Sequence, residues 1–181
     1  AIMRIVAGTA RSRTILAPEG RDTRPTLDRV RENLFNILQW HCRDAQVLDL
    51  FAGSGALALE ALSRGAAGAV LADRDPRAVR IERQNVENLG FADRARVIQA
   101  EWQETLRRLA AENMTFQLVF LDPPYAMKDL SAVFEALRSG GMIDETSLLV
   151  VEHKAEDAPF VGDGFIVTDQ RKYGYAGIHM F

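Results

Sequence analysis

The residues with the clearest chemical potential form one run, Asp122-Pro123-Pro124-Tyr125, at the end of the very apolar segment 117–122. The amino group of an aromatic base is a poor nucleophile because its lone pair is delocalised into the ring. A carboxylate and a backbone carbonyl that accept its N–H bonds would draw the nitrogen toward tetrahedral geometry, and the carboxylate would stabilise the developing positive charge. Two prolines fix φ and hold the Pro123 carbonyl in place, and Tyr125 offers a stacking face for a base turned out of its stack. Asp-Pro-Pro alone is usually a turn, but its place at the end of a buried strand favours methyl transfer to an amine.

A second run, residues 49–55 (DLFAGSG), lies between a predicted strand and a predicted helix. Glycines suit a tight turn that a ligand approaches closely, and the following helix N-terminus offers free N–H groups. The spacing differs from that of a dinucleotide-binding loop, because Phe51 stands where its first glycine would be. Asp49, two residues earlier, suits an ammonium group such as the methionine end of S-adenosylmethionine and suits a pyrophosphate badly.

Two further acids follow the next two predicted strands. Asp73 ends the second strand of this series, where a carboxylate can accept both hydroxyls of a ribose. Glu101 follows the third, within reach of an adenine amino group, and Trp102 beside it would pack either on the adenine or in the core. Each acid alone could be a strand-end turn or a helix N-cap. Together they predict a nucleoside cofactor.

Strands and helices that alternate from residue 46 onward must position these groups. We predict strands at 46–51, 69–73, 95–99, 117–122, 147–153, 164–169 and 175–181, with helices at 56–64, 76–89, 103–112 and 129–138. This pattern predicts an α/β fold, a Rossmann-like and mostly parallel seven-stranded sheet with helices on both faces. Such sheets bind ligands at the carboxyl ends of their strands, where the strand order reverses. Segments 4–8 and 13–17 predict a hairpin, and Thr26 is the predicted N-cap of a helix that follows it.

The N-terminal segment, residues 1–43, is basic, with eight arginines against four acids, although the chain of 181 residues has a net charge of −3. A basic segment on an acidic body indicates a local anion-binding face. We therefore divide the chain into an RNA-binding extension (1–43) and a catalytic domain (44–181). A single cysteine and the lack of a long apolar run favour a protein of the cytoplasm. The predicted RNA contacts are Arg11, Arg13, Arg24, Arg29, Arg31 and Lys172, with Arg29 and Arg31 on the polar face of the predicted helix.

Several stretches of the sequence carry a resemblance that covers nearly the whole chain. They are MRIVAGTARSR (3–13), TRPTLDRVRENLFNIL (23–38), VLDLFAGSGALALEALSRGA (47–66), DPPY (122–125) and KYG (172–174). They resemble the bacterial 16S rRNA (guanine-N2)-methyltransferase family (RsmD-like), which belongs to the class I methyltransferases.

The resemblance implies S-adenosylmethionine as the methyl donor and N2-methylguanosine in small-subunit rRNA as the product. It implies no metal, and we expect a monomer. Asp122, Pro123, Pro124 and Tyr125 would form the amine site. The predicted cofactor contacts are Asp49, Phe51, Ala52, Gly53, Gly55, Asp73, Arg74, Glu101, Trp102 and Thr26.

Three other functions compete with this one. The transfer motif also fits an N6-adenine methyltransferase that acts on RNA or DNA, although the stretch from Arg24 to Asn33 favours the guanine family. A nucleotide-binding oxidoreductase is disfavoured by Asp49 and by the missing glycine. A non-catalytic RNA-binding module is disfavoured by the intact pair of Asp122 and Tyr125.

Overall fold

The computed structural model describes residues 3–17, 25–124, 126–173 and 176–181. A short antiparallel hairpin and a long helix come first, followed by alternating strands and helices. No helix in these described ranges is long and apolar enough to cross a membrane. The hairpin and first helix are β1 (Met3–Arg4), β2 (Thr14–Ile15) and α1 (Pro25–Cys42). The remaining elements are β3 (Gln46–Leu50), α2 (Ala56–Ser63), β4 (Gly68–Asp73), α3 (Pro76–Asn88), β5 (Ala95–Gln99), α4 (Trp102–Ala111), β6 (Leu118–Leu121), α5 (Ser131–Ser139), β7 (Leu148–Lys154), β8 (Asp169–Tyr173) and β9 (Ala176–Met180).

Strands β3 to β9 form one sheet in the order β5-β4-β3-β6-β7-β9-β8. Strands β3 to β7 pair in parallel, whereas β9 runs antiparallel to both β7 and β8. The chain leaves β3 toward β4 on one side and later returns to β6 on the other side. The strand order therefore reverses between β3 and β6, which opens a crevice at the carboxyl ends of these strands. The predicted α/β fold is confirmed.

Side chains of the sheet point alternately to its two faces and form one apolar layer on each face. Val47 and Phe120 point into the layer that α1 and α2 cover, whereas Leu48 and Val119 point into the layer that α4 and α5 cover. Met3 and Ile15 of the hairpin belong to the first layer. The N-terminal extension thus shares a core with the sheet, and its charged residues are carried on an element that this core holds in place.

Two predictions about the local structure are wrong. Residues 164–168 form no strand, because Phe165 turns in against Phe134 with ring centroids 4.8 Å apart while Ile166 is exposed. The edge strand is instead β8, whose charged sequence DQRKY suits a strand that has one open side. Helix α1 begins at Pro25, which suits the first helical position. Thr26 therefore lies inside the first turn and is not the N-cap.

The prediction that Arg31 lies on the polar face of α1 is also wrong. Its side chain is only 4% exposed, and its Nε donates to the buried Glu60 Oε1 at 3.2 Å. Glu60 also accepts the backbone N–H groups of Val6 (2.9 Å) and Ala7 (3.1 Å) and the Nε of Arg64 (3.0 Å). One buried carboxylate thus joins the hairpin, α1 and α2. Arg31 is held in this network because a buried carboxylate needs charged and N–H partners.

We expect Arg31→Ala to lower the free energy of unfolding by about 3 kcal/mol, because it leaves Glu60 buried with fewer partners. Arg29→Ala removes the same charge from an exposed position of the same helix and should cost less than about 0.5 kcal/mol. Urea unfolding followed by circular dichroism measures both. Equal destabilisation of the two variants would contradict the role of this ion pair.

Candidate functional site

The glycine loop after β3 folds as a series of left-handed residues. Phe51, Gly53 and Gly55 have φ values of 69°, 58° and 83°. Gly55 has a left-handed φ at which any residue with a Cβ would be strained, so this position favours glycine. Phe51 adopts a conformation that a bulky residue keeps only where the surrounding structure enforces it. The loop is therefore shaped before any ligand arrives.

A cavity of about 600 Å³ lies at the carboxyl ends of β3 to β7. This volume falls in the range of small-molecule and cofactor sites. Its walls come from the ends of neighbouring parallel strands and from the segments that follow them. The lining residues are Leu50, Phe51, Ala72 to Asp75, Ala100 to Gln103, Asp122 to Pro124, Met127 and Glu152.

Asp73 connects the cavity wall to the glycine loop. Its Oδ2 accepts the backbone N–H of Gly53 at 2.9 Å, and its Oδ1 accepts the N–H of Asp75 at 3.0 Å. Each carboxylate oxygen has a further lone pair, so both can still accept the hydroxyls of a ribose. Asp73 thus fixes the loop while keeping acceptors for a ligand.

Glu101 and Arg74 stand at the mouth of the cavity. Glu101 occupies the N-cap position of α4, but its side chain makes no capping hydrogen bond. It is 60% exposed and lies 3.8 Å, Oε1 to Nη1, from Arg74. The half-buried Trp102 lines the same wall. An acceptor and an aromatic face are therefore adjacent where an adenine would enter.

Asp49 does not reach this cavity. Its side chain is 1% exposed and lies behind the glycine loop, where Oδ2 accepts the N–H of Ala58 at 3.2 Å. Burial raises the pKa of Asp49 well above its ordinary value. Ala52, Gly53 and Gly55 belong to the same loop but are not among the lining residues. The contact of Asp49 with an ammonium group stays a prediction.

Sequence reasoning missed Glu82, a carboxyl group beneath the glycine loop. Glu82 is fully buried on α3, and neither of its oxygens has a hydrogen-bond partner in the described part of the chain. Burial, with a further effect of the charges on Asp49 and Asp73, raises its pKa from 4.5 to about 9. The spacing of the buried Ala78, Glu82 and Val86 on α3 could have identified it, because a charged residue occupies the apolar stripe.

Glu82 should make the stability of the protein depend on pH. The folded chain keeps its proton up to a pH of about 9, whereas the unfolded chain releases it above about 4.5. The free energy of unfolding therefore falls as the pH rises between these values, by up to about 1.4 kcal/mol per pH unit for this group. We expect Glu82→Gln to remove that part of the slope and to be more stable than the parent at pH 8.

The matched control is Glu87→Gln, which makes the same change at an exposed site of the same helix. It should keep the slope of the parent. Urea unfolding at a series of pH values from 5 to 9 measures all three proteins. Parallel curves for the parent and Glu82→Gln would show that Glu82 is ionised in the folded protein.

The predicted transfer motif lies on the cavity wall. Asp122, Pro123 and Pro124 follow the end of β6 and line the cavity, and Tyr125 lies outside the described residues. Glu152, which sequence reasoning missed, lies at the same edge near the end of β7, close enough to Asp122 for the two carboxyl groups to interact. Burial raises the pKa of Glu152. Asp122 and Glu152 thus place two carboxyl groups at one edge of the cavity.

The predicted RNA contacts include exposed residues and one buried residue. Arg11, Arg13, Arg29 and Lys172 are exposed, and Arg13 donates to the carbonyl of Asn88 at the end of α3. Arg31 is buried in its ion pair with Glu60 and cannot reach a phosphate without breaking it. Arg24 and the side chain of Thr26 lie outside the described part of the chain. In the described part of the chain, no group of three or more acidic, histidine or cysteine side chains could hold a metal ion.

The strand order with an antiparallel β9, the shaped glycine loop and acids after β4 and β5 define a class I S-adenosylmethionine-dependent methyltransferase. The family described as "Conserved hypothetical protein 95" matches residues 3–181, and the chain belongs to this family.

The chain is also similar to named proteins over most of its length. The chain is 42% identical to "Ribosomal RNA small subunit methyltransferase D" of Escherichia coli strain K12, over 86% of this chain and 76% of that protein. It is 33% identical to "Putative rRNA methyltransferase YlbH" of Bacillus subtilis, over 99% and 98% of the two chains. The solved structure "Putative methyltransferase yhhF from Escherichia coli" superposes with a TM-score of 0.83 at 36% identity, covering 99% of this chain and 97% of that one.

Proposed function

We propose that this enzyme transfers a methyl group from S-adenosylmethionine to the exocyclic N2 amine of a guanine in small-subunit rRNA. The observation that carries the proposal is the Asp122-Pro123-Pro124 segment on the wall of the cavity. The names of the two relatives support an rRNA substrate. The same substrate supports action in the cytoplasm, and a monomer remains our prediction.

The residues of the cavity fit the cofactor in size and in chemistry. Asp73 has free lone pairs for ribose hydroxyls, and Glu101 has a carboxylate that no helix cap uses. Trp102 offers an aromatic face to an adenine. When bound, S-adenosylmethionine supplies an electrophilic methyl group on a sulfonium. We assign Asp73, Glu101 and Trp102 to holding it and Phe51 to closing the wall beside it.

Asp122 and Pro123 act on the amine. The Asp122 carboxylate and the Pro123 carbonyl accept the two N–H bonds of the base, which frees the nitrogen lone pair from the ring. Positive charge grows on that nitrogen as its new bond to carbon forms, and Asp122 stabilises this charge. The proton that the nitrogen then loses leaves through the carboxylate that already accepts it. Proline at 123 and 124 keeps the acceptors fixed, so little reorganisation accompanies the reaction.

The proposal is tested with small ribosomal subunits that lack the modification and with donor labelled in its methyl group. Nucleoside digestion should yield labelled N2-methylguanosine. We expect Asp122→Ala to lower the single-turnover rate by about 100- to 1,000-fold, because it removes an interaction made with charge in the transition state.

Asp129→Ala is the matched control, since Asp129 is exposed and its carboxylate accepts from Ser131, two residues away. It should keep the parental rate. Labelled N6-methyladenosine as the product would contradict the guanine assignment and favour the adenine alternative. A parental rate for Asp122→Ala would contradict the mechanism.

We further propose that residues 1–43 are an RNA-binding extension of the methyltransferase domain 44–181, with Arg11, Arg13 and Arg29 contacting phosphates. Phosphate contacts supply affinity without base identity. Neutralising all three should weaken RNA binding and flatten its dependence on salt by roughly 0.7–0.9 log units of slope for each phosphate that is no longer neutralised. Affinity for S-adenosylhomocysteine should stay unchanged. RNA binding across a salt series, beside calorimetry with the cofactor product, measures both effects.

A control variant removes three exposed arginines from α4 and α5. It should leave the salt slope as it is in the parent. A slope that is equally flat in both variants would show that net charge alone attracts the RNA and that the N-terminal segment has no special role. The control replaces Arg107, Arg108 and Arg138 with alanine.

A further inference from the structure

Glu152 has no part in the reaction derived above, yet it stands beside the transfer motif. Strands β6 and β7 pair in parallel with Leu121 opposite Val151. The next residue on each strand is an acid, Asp122 after β6 and Glu152 on β7, and both line the cavity. The two carboxyl groups lie close enough to interact. The wall therefore presents two carboxyl groups side by side rather than one.

Two adjacent acceptors match the edge of one base better than that of another. Guanine carries its N1–H and its N2 amine on neighbouring ring positions, so both groups donate in the same direction. Adenine offers one donor at N6 and a lone pair at N1, which would face a carboxylate without a hydrogen between them. An acceptor that the bound base shields from water without offering it a donor is costly. The juxtaposition of Asp122 and Glu152 thus favours guanine over adenine.

We propose that Glu152 is a specificity-determining residue, whose carboxylate accepts the N1–H of the target guanine while Asp122 accepts an N2–H. The inference rests on the proposed function and deepens it. Pro123 fixes the second N2–H, so three acceptors together orient the amine.

The test removes the N1–H of the target base, together with its 6-oxo group. Nucleoside mapping first locates the methylated guanine, and splinted ligation then places 2-aminopurine at that position of the RNA. This base keeps the amine at C2 but carries a lone pair at N1. We expect the parental enzyme to methylate 2-aminopurine about 10- to 100-fold more slowly than guanine in single turnovers, as a charged acceptor loses its donor.

Glu152→Gln supplies the matching change in the protein. A glutamine amide can accept from guanine N1–H or donate to the N1 lone pair of 2-aminopurine. The preference for guanine should therefore shrink by at least about 10-fold, while affinity for S-adenosylhomocysteine stays at the parental value. Glu156→Gln makes the same change at an exposed site four residues later and should keep the parental preference.

The outcomes separate this inference from the function on which it rests. No N2-methylguanosine with the natural subunit would overturn the proposed function and this inference with it. Normal N2-methylguanosine formation with equal rates on guanine and 2-aminopurine would overturn only the role of Glu152. A preference that Glu152→Gln leaves unchanged would overturn that role as well. If Glu152→Gln does not fold, the ratio of the parental rates on guanine and 2-aminopurine tests the role of Glu152.

Discussion

Parallel pairing of β3 with β4 and with β6 is the constraint on which the rest of the structure depends. Because all three strands run the same way, the residues that follow them meet at one edge of the sheet. The strand order reverses between β3 and β6, so the connections leave in opposite directions and a crevice stays open. The glycine loop, Asp73 and Asp122 reach this crevice from separate parts of the chain. Their proximity is a property of the sheet, and changes in the loops alone would not create it.

Carboxyl groups accumulate at this edge, and this has an energetic cost. Asp49, Glu82 and Glu152 all have raised pKa values because burial penalises their charged forms. Asp73 and Asp122 lie at the surface of the cavity beside them. A site of this kind favours ligands that are cationic or rich in hydrogen-bond donors. A sulfonium cofactor and the donor edge of guanine both meet this requirement. RNA phosphates are anionic and bind better to arginines outside the crevice.

The sequence predicted the elements that short-range patterns define and missed those that depend on distant partners. The apolar runs before Asp73 and Asp122 identified β4 and β6, because buried parallel strands are continuously hydrophobic. Arg31 was misplaced because its partner Glu60 belongs to another helix. Glu152 was missed because its position beside Asp122 follows from the pairing of β7 with β6. The residues around Glu152 in the sequence do not show that pairing. Segment 164–168 was wrongly predicted to be a strand because it contains apolar residues. The edge strand of the sheet is instead the charged β8.

We propose that one crevice brings the cofactor and a guanine amine together at Asp122. A crystal structure of the enzyme with S-adenosylhomocysteine and the RNA segment that carries the target guanine tests it most directly. We expect ribose hydroxyls on Asp73 and a flipped guanine with its N2 about 3 Å from both the Asp122 carboxylate and the Pro123 carbonyl. A guanine held elsewhere, or a ribose that does not contact Asp73, would contradict it.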